Sequence, residues 1–153
     1  MSTTQNLPNR FTIRVYGLLI ENGALLLSKE NIKGGIYTKL PGGGLEFGEG
    51  TLDCLRREFI EEAGIAVNPS QHFYTTEDYV KSGFGYQAQV LSIYYRVNTQ
   101  ESNRLPLGDA DNLTLLKEHG DQILFWKKLS ALSPADVDLP IDKKVIELLL
   151  KAQ

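Results

Sequence analysis

The chain reads as an α/β domain, a mixed β-sheet held between helices, and three observations point there. β-rich segments lie on both sides of one amphipathic stretch, residues 50–63. A second amphipathic stretch closes the chain at residues 141–151. Between them there is no internal repeat, low-complexity tract or linker, so residues 10–153 are expected to fold as a single domain behind a polar tail, residues 1–9. A length of 153 residues fits one domain, and a hydrophobic content of 42% is enough for a core.

The first strand is expected over residues 10–20, where Phe11, Ile13 and Val15 alternate before the apolar run 18–20. Asn22-Gly23 follows, and Asn-Gly between apolar runs signals a two-residue hairpin. Leu25, Leu26 and Leu27 make the return strand. Lys29, Lys33 and Gly34-Gly35 read as a polar loop, and residues 36–40 as a short strand entering the glycine turn Pro41-Gly42-Gly43-Gly44. After the central helix Gly64 is a stop. Residues 65–67 begin a segment that Asn68-Pro69-Ser70 breaks; 73–80 read as a strand, 82–85 as a turn and 86–97 as an alternating strand. Residues 98–122 hold Pro106, Gly108, Asp109, Asp111 and Asn112, with one helical turn near Leu115. A connection that long in a small domain is functional or disordered. Residues 123–127 supply the last strand, and the final helix puts Val145, Leu148 and Leu149 on one face.

On the central helix, at about 100° per residue, Leu52, Leu55, Phe59 and Ala63 share a stripe that faces a core. Glu58, Glu61 and Glu62 fall on an arc beside it. Glu58 and Glu62 are four apart, a like-charge pairing that weakens a helix by about 0.2–0.5 kcal/mol. Helix stability does not favour this arrangement; a bound cation does. Hard divalent ions such as Mg²⁺ take oxygen ligands, usually one or two carboxylates with water and substrate phosphate.

At residues 43–65, GGLEFGEGTLDCLRREFIEEAGI, a resemblance becomes specific. The stretch resembles the signature of the Nudix hydrolase superfamily (MutT-like pyrophosphohydrolases). Gly43, Glu49, Arg57, Glu58, Phe59, Glu61, Glu62, Gly64 and Ile65 occupy its specified positions at the fixed spacing. The one departure is Phe59, where an aliphatic residue is more usual; it touches packing and no chemistry. The resemblance implies the Nudix α/β/α sandwich. It also implies hydrolysis of a pyrophosphate linkage in a nucleotide or nucleoside diphosphate derivative, with Mg²⁺ or alternatively Mn²⁺ and water.

By position, Glu58, Glu61 and Glu62 resemble the family's metal ligands, with the Gly42 carbonyl a further one. A solvated helix face is the plain alternative, and the spacing to Gly43 and Glu49 counts against it. Arg57 resembles the arginine that orients a carboxylate of this signature (the Nudix box, residues 43–65), either Glu49 or a ligand. Glu49 also sits where the helix dipole favours a negative charge. Without side chains, Gly42, Gly43 and Gly44 let the backbone approach a metal or phosphate. In some relatives the general base lies within the box and in others on a loop ahead of the last strand. Glu118 occupies such a loop, Asp121 is next in line, and a solvent-facing charge is an equal reading.

For substrate, the resemblance implies aromatics that stack a base, here Tyr79, Phe84 and Tyr86, and basic residues that hold phosphate, here Arg14, Lys29 and Lys39. Core packing and plain surface charge are the competing readings. Asp142, opening the last helix, either reads a base edge or favours the helix start. Free nucleoside triphosphates, oxidised ones included, and ADP-ribose-like dinucleotides both remain open. The extra signatures of NADH-specific and coenzyme A-specific branches are absent. A non-catalytic nucleotide-sensing module is the rival; such modules lose box acids, and this chain keeps them.

The net charge of −3 leaves no footprint for long nucleic acid, so a small nucleotide is the expected partner. Cys54 is the only cysteine, which excludes an internal disulfide, and inside the helix it reads as a small packed residue. His72 and His119 have no partner at metal-ligand spacing. The polar start shows no signal peptide, and no apolar run approaches the ~18 residues of a membrane span. A cytoplasmic protein, monomer or homodimer, is expected.

Overall fold

A computed structural model describes residues 7–153. The expected tail, residues 1–9, lies outside the described residues as far as residue 6. Asn9 is already tied down, its N–H donating to the Gln87 carbonyl at 2.9 Å. Seven strands and two helices follow: β1 (Arg10–Glu21), β2 (Ala24–Ile32), β3 (Gly35–Lys39), β4 (Gly42–Gly44), α1 (Thr51–Ala63), β5 (Asn68–Thr75), β6 (Ala88–Asn98), β7 (Gln122–Lys128) and α2 (Pro140–Lys151). The sheet is mixed. β1 and β6 run parallel from Arg10–Ala88 to Leu19–Val97, and the other strand pairs are antiparallel.

The Asn22-Gly23 hairpin forms as its residues dictate, with φ of 50° and 73°, the two positive values of a type I′ turn. β1 and β2 nevertheless pair only at Ile20–Leu25 and Glu21–Ala24. Beyond that point β2 leaves to pair with β7 and β3, and the space beside β1 is taken by β4. The glycine segment expected as a turn is therefore also a short strand. Gly42 has φ 148°, and a Cβ there would fall 2.1 Å from the Val15 carbonyl oxygen; only glycine lets this backbone lie so close to β1.

α1 and α2 cover opposite faces. Cys54, Leu55, Phe59 and Ala63 of α1 pack on Val15, Leu19, Leu26 and Leu124. Val145, Ile146 and Leu149 of α2 pack on Leu18, Leu25, Leu27 and Tyr94. Each fully buried Leu or Phe contributes about 1.5–3 kcal/mol, so these two stripes hold the sandwich. Leu52 departs from its expected place: it is 39% exposed, because the first turn of α1 turns Cys54 toward β4, its Sγ 3.4 Å from the Gly44 carbonyl. Among the described residues no helix is long and apolar enough to cross a membrane.

Three further boundaries differ from the sequence reading. β2 continues through the polar residues 29–32, because Lys33 (φ 52°) and Gly34 (φ 89°) make a second tight turn, and Asn31 Oδ1 accepts the Gly34 N–H at 2.9 Å. β5 starts at Asn68 and runs through Pro69, ending at Thr75 rather than residue 80. It pairs only with β6, at the sheet edge, where a proline's missing N–H is tolerated. The long connection is ordered: Leu113–Leu115 is a helical turn, Leu116 is buried, and Asn31 Nδ2 donates to the Leu116 carbonyl at 2.9 Å.

Candidate active site

α1 starts cleanly, with the Asp53 carboxylate accepting the Gly50 N–H at 3.0 Å. It ends at Gly64, whose left-handed φ of 67° lets its N–H reach the Ile60 carbonyl. Between these caps Glu58 is carried, buried, onto β4. A Cβ on Gly43 would fall 2.4 Å from the Glu58 carboxyl carbon. Gly43 is thus a glycine because an acid occupies the space a side chain would need.

Arg57 is the hub of the acids. Its Nε and Nη2 donate to Glu49 Oε2 and Oε1 at 2.9 and 2.7 Å, the bidentate geometry that guanidinium offers a carboxylate. Nη2 also reaches the Gly44 carbonyl at 2.9 Å, while Nη1 donates to Glu58 Oε1 at 3.0 Å and Glu61 Oε2 at 3.2 Å. Both partners left open by the sequence, Glu49 and the acids of the helix, are held at once. The hydrogen bonds from Arg57 pull the Glu49 carboxyl down to about 2, and those from Glu49 and Glu58 raise the Arg57 guanidinium well above its ordinary value.

Glu62 has a different setting. Its Oε2 is buried and, among the described residues, has no hydrogen-bond partner. Burial pushes its pKa up to about 7, against the pull of Lys39, with Glu58 and Glu30 adding to the rise. The backbone is fixed by Gln122 Nε2 donating to the Glu62 carbonyl at 2.9 Å. Because Arg57 draws Glu58 and Glu61 to itself, no three acid, His or Cys side chains form a closed ligand set among the described residues. The residues nonetheless fit a hard divalent cation: all the side-chain donors are carboxylate oxygens, one of them buried without a partner, beside a glycine backbone with no side chain in the way.

The divergence of β1 from β2 opens a cleft of about 700 Å³ on the α2 side, walled by β1, β2, β3, β6, residues 80–86 and the start of α2. Arg14 and Lys39 line it close to the acids: Glu58 acts on Arg14 and Glu62 on Lys39. Arg14 Nε donates to Tyr16 Oη at 3.1 Å. The Lys39 ammonium is only 3% exposed and lies 3.5 Å from Glu30 Oε2. Burial would lower its pKa, but Glu62, Tyr16, Glu30 and Asp142 outweigh that and raise it. Phe84 lines the cleft and meets Tyr37 edge-on, ring centroids 5.1 Å apart.

Other candidates fall elsewhere. Tyr79 is 54% exposed and outside the cleft wall. Lys29 is spent on the Ala110 carbonyl at 2.9 Å. Asp142 is fully buried beneath the cleft, accepting from Tyr94 Oη at 2.5 Å and the Leu40 N–H at 3.2 Å, so it reaches the cleft only through Tyr94. Glu118 is exposed on the loop before β7, its N–H donating to Asp121 Oδ2 at 2.9 Å, next to the cleft-lining His119. Sequence reading missed Tyr37 and Tyr94, whose strand positions gave no sign of which side the cleft would open on.

The domain is thus of the mixed-sheet class in which one acidic helix borders a split in the sheet. The NUDIX domain family matches residues 8–149, and the chain belongs to that family. Among solved structures it is similar to a NUDIX hydrolase from Nitrosomonas europaea, with TM-score 0.68 and 19% identity over 93% of this chain and 90% of that one. It is similar to the MutT protein from Methanosarcina mazei Go1, with TM-score 0.66 and 18% identity over 94% and 96%. A UDP-X diphosphatase matches with TM-score 0.61 and 18% identity over 92% of this chain and 62% of that one. At these identities the likeness establishes the fold.

Proposed function

We propose that this protein is a divalent-metal-dependent Nudix hydrolase that cleaves a pyrophosphate linkage in a nucleotide or nucleoside diphosphate derivative. The observation that carries the reading is Glu62 Oε2, a buried carboxylate oxygen with no partner among the described residues, beside the cleft-lining cation Lys39. Leaving a buried acceptor without a partner costs about 1–3 kcal/mol, and a bound cation would supply the partner.

Glu58, Glu61 and Glu62, with the Gly42 carbonyl, are the residues that would hold Mg²⁺ or Mn²⁺. Bound there, the ion would supply Lewis acidity toward phosphoryl oxygens and acidify a water. The remaining work falls to the chain itself. Arg57 fixes the rotamers of Glu49, Glu58 and Glu61 through charge-assisted bonds. Arg14 and Lys39 offer positive charge from the cleft to a pyrophosphate, lessening its repulsion by the acids. Phe84 and Tyr37 give an aromatic corner for a base. Glu118, next to the cleft on the loop before β7, is the proposed general base, and its replacement by Gln lowers kcat about tenfold or more with KM little changed.

The test is a panel of nucleoside triphosphates, oxidised nucleotides, ADP-ribose, dinucleoside polyphosphates and nucleotide sugars with Mg²⁺, scored by released phosphate or pyrophosphate. Turnover of at least one class, abolished by chelator, supports the reading. No turnover of any, with the folded protein binding nucleotide, leaves a sensing module instead.

A further inference from the structure

The cleft has two basic ends. Arg14 and Lys39 stand at the inner one, beside the acids. At the outer one Arg10, Lys33 and Lys81 gather near Tyr86. Lys33 Nζ lies 3.8 Å from the Tyr86 ring centroid and the Arg10 guanidinium carbon 5.6 Å from it, and Arg10, Lys81 and Tyr86 share the cleft wall. Arg10 and Arg14 lie four residues apart on one face of β1, which at the strand rise is about 13 Å. Their partners in register, Ala88 and Ser92 of β6, both line the cleft, so both ends open into one space.

Arg10 and Lys33 beside one ring, with Lys81 on the same cleft wall, repel each other. None of the three outer ones makes an ion pair among the described residues. Lys33 Nζ donates only to a neutral acceptor, the Phe84 carbonyl at 3.0 Å. The acids of the cleft wall are committed elsewhere: Glu30 to Lys39, and Asp138 Oδ2 to the Thr38 N–H at 2.7 Å. The Tyr86 ring attracts Arg10 and Lys33, and among the described residues no acid pairs with any of the three. A ligand phosphate would do so, gaining charge-assisted hydrogen bonds from two or three donors.

We propose that this outer cluster is a second anion subsite. The favoured substrate then carries, besides the pyrophosphate that is cleaved, a further phosphate on the far side of a ribose. The inference rests on the hydrolase reading for which end the pyrophosphate occupies. Tyr86 accordingly acts as a platform for the cations rather than for a base, because Lys33 already lies over its ring.

Two matched pairs of ligands test this. Turnover with Mg²⁺ is compared for ADP-ribose and ADP-ribose 2′-phosphate. Binding without metal is compared by calorimetry for AMP and adenosine 2′,5′-bisphosphate. The member with the extra phosphate is expected to have a KM and a Kd about tenfold lower, an advantage that shrinks as salt is raised. In Lys33→Gln/Lys81→Gln, at two exposed positions, both ratios fall toward one. Wild-type ratios within about twofold of one, or ratios that survive in the variant, overturn the subsite. Hydrolysis of both compounds with equal KM and equal Kd values removes the subsite and leaves the hydrolase reading standing. A Kd preference that the variant loses, with no compound of the substrate panel hydrolysed, does the reverse.

Discussion

Each helix buries an acid against the sheet, and the two acids have opposite surroundings. Asp142 on α2 is fully enclosed and both its oxygens are used, by Tyr94 and the Leu40 N–H. Glu62 on α1 is less enclosed, yet its inner oxygen is unused. Burial raises the pKa of both, Asp142 to about 6 and Glu62 to about 7. A raised pKa therefore does not separate an acid that serves the fold from one proposed to hold a metal. What separates them is whether the protein has already supplied the partners.

The sharpest break of this comparison is Glu62→Gln. Activity is expected to fall by about a hundredfold or more, while the thermal midpoint stays the same or rises, because a desolvated charge is removed. Steady-state kinetics beside a melting curve checks it; a variant that is both active and less stable would put Glu62 with Asp142. Asp142→Ala should act the other way. It orphans the Tyr94 hydroxyl and the Leu40 N–H, at about 1–3 kcal/mol each, so urea denaturation should show a loss of several kcal/mol with kcat changed far less.

The pH dependence of stability should follow Asp142 with a definite sign. Its folded pKa of about 6 lies above its ordinary value of 3.8, so the native state holds an extra proton between the two. Its contribution is greatest below about pH 4, declines as pH rises to about 6 and is constant above, an effect of up to ~3 kcal/mol at 1.36 kcal/mol per pKa unit. Glu49 runs opposite: held near 2 by Arg57, it contributes above pH 4.5 and loses that contribution as pH falls toward 2. Denaturant midpoints of wild type and Asp142→Ala across pH 4–7 should converge as pH rises. The smallest expected effect is Tyr94→Phe, about 1 kcal/mol for one buried hydrogen bond, measured in the same titration.

The box was legible because its signals are local. Spacing along one helix placed Glu58, Glu61 and Glu62, and glycines marked where backbone approaches backbone. Gly43 shows how far this goes: the residue was readable, but its reason, the Glu58 carboxyl in the space of a side chain, belongs to the tertiary structure. The cleft was much less legible. Its position follows from β1 and β2 parting after two residue pairs, and no residue in either strand announces that. Lys33-Gly34 turned the chain as tightly as Asn22-Gly23 without the Asn-Gly signal, and the polar residues before it read as loop. Asp142 does sit in the first turn of α2, as the sequence allowed, but its burial was not legible. Nothing near it in the sequence points to Tyr94, forty-eight positions away, from whose hydroxyl it accepts a hydrogen bond inside the core.

The parallel ladder between β1 and β6 also bears on how the molecule reaches its native state. Arg10 and Ala88 are seventy-eight positions apart, and the whole acidic helix lies in the loop they close. Closing so long a loop before its contacts form slows folding. A nascent chain that has not yet presented Ala88 has the box but no partner for that edge of β1, so the site is expected to assemble late, with the sheet rather than ahead of it.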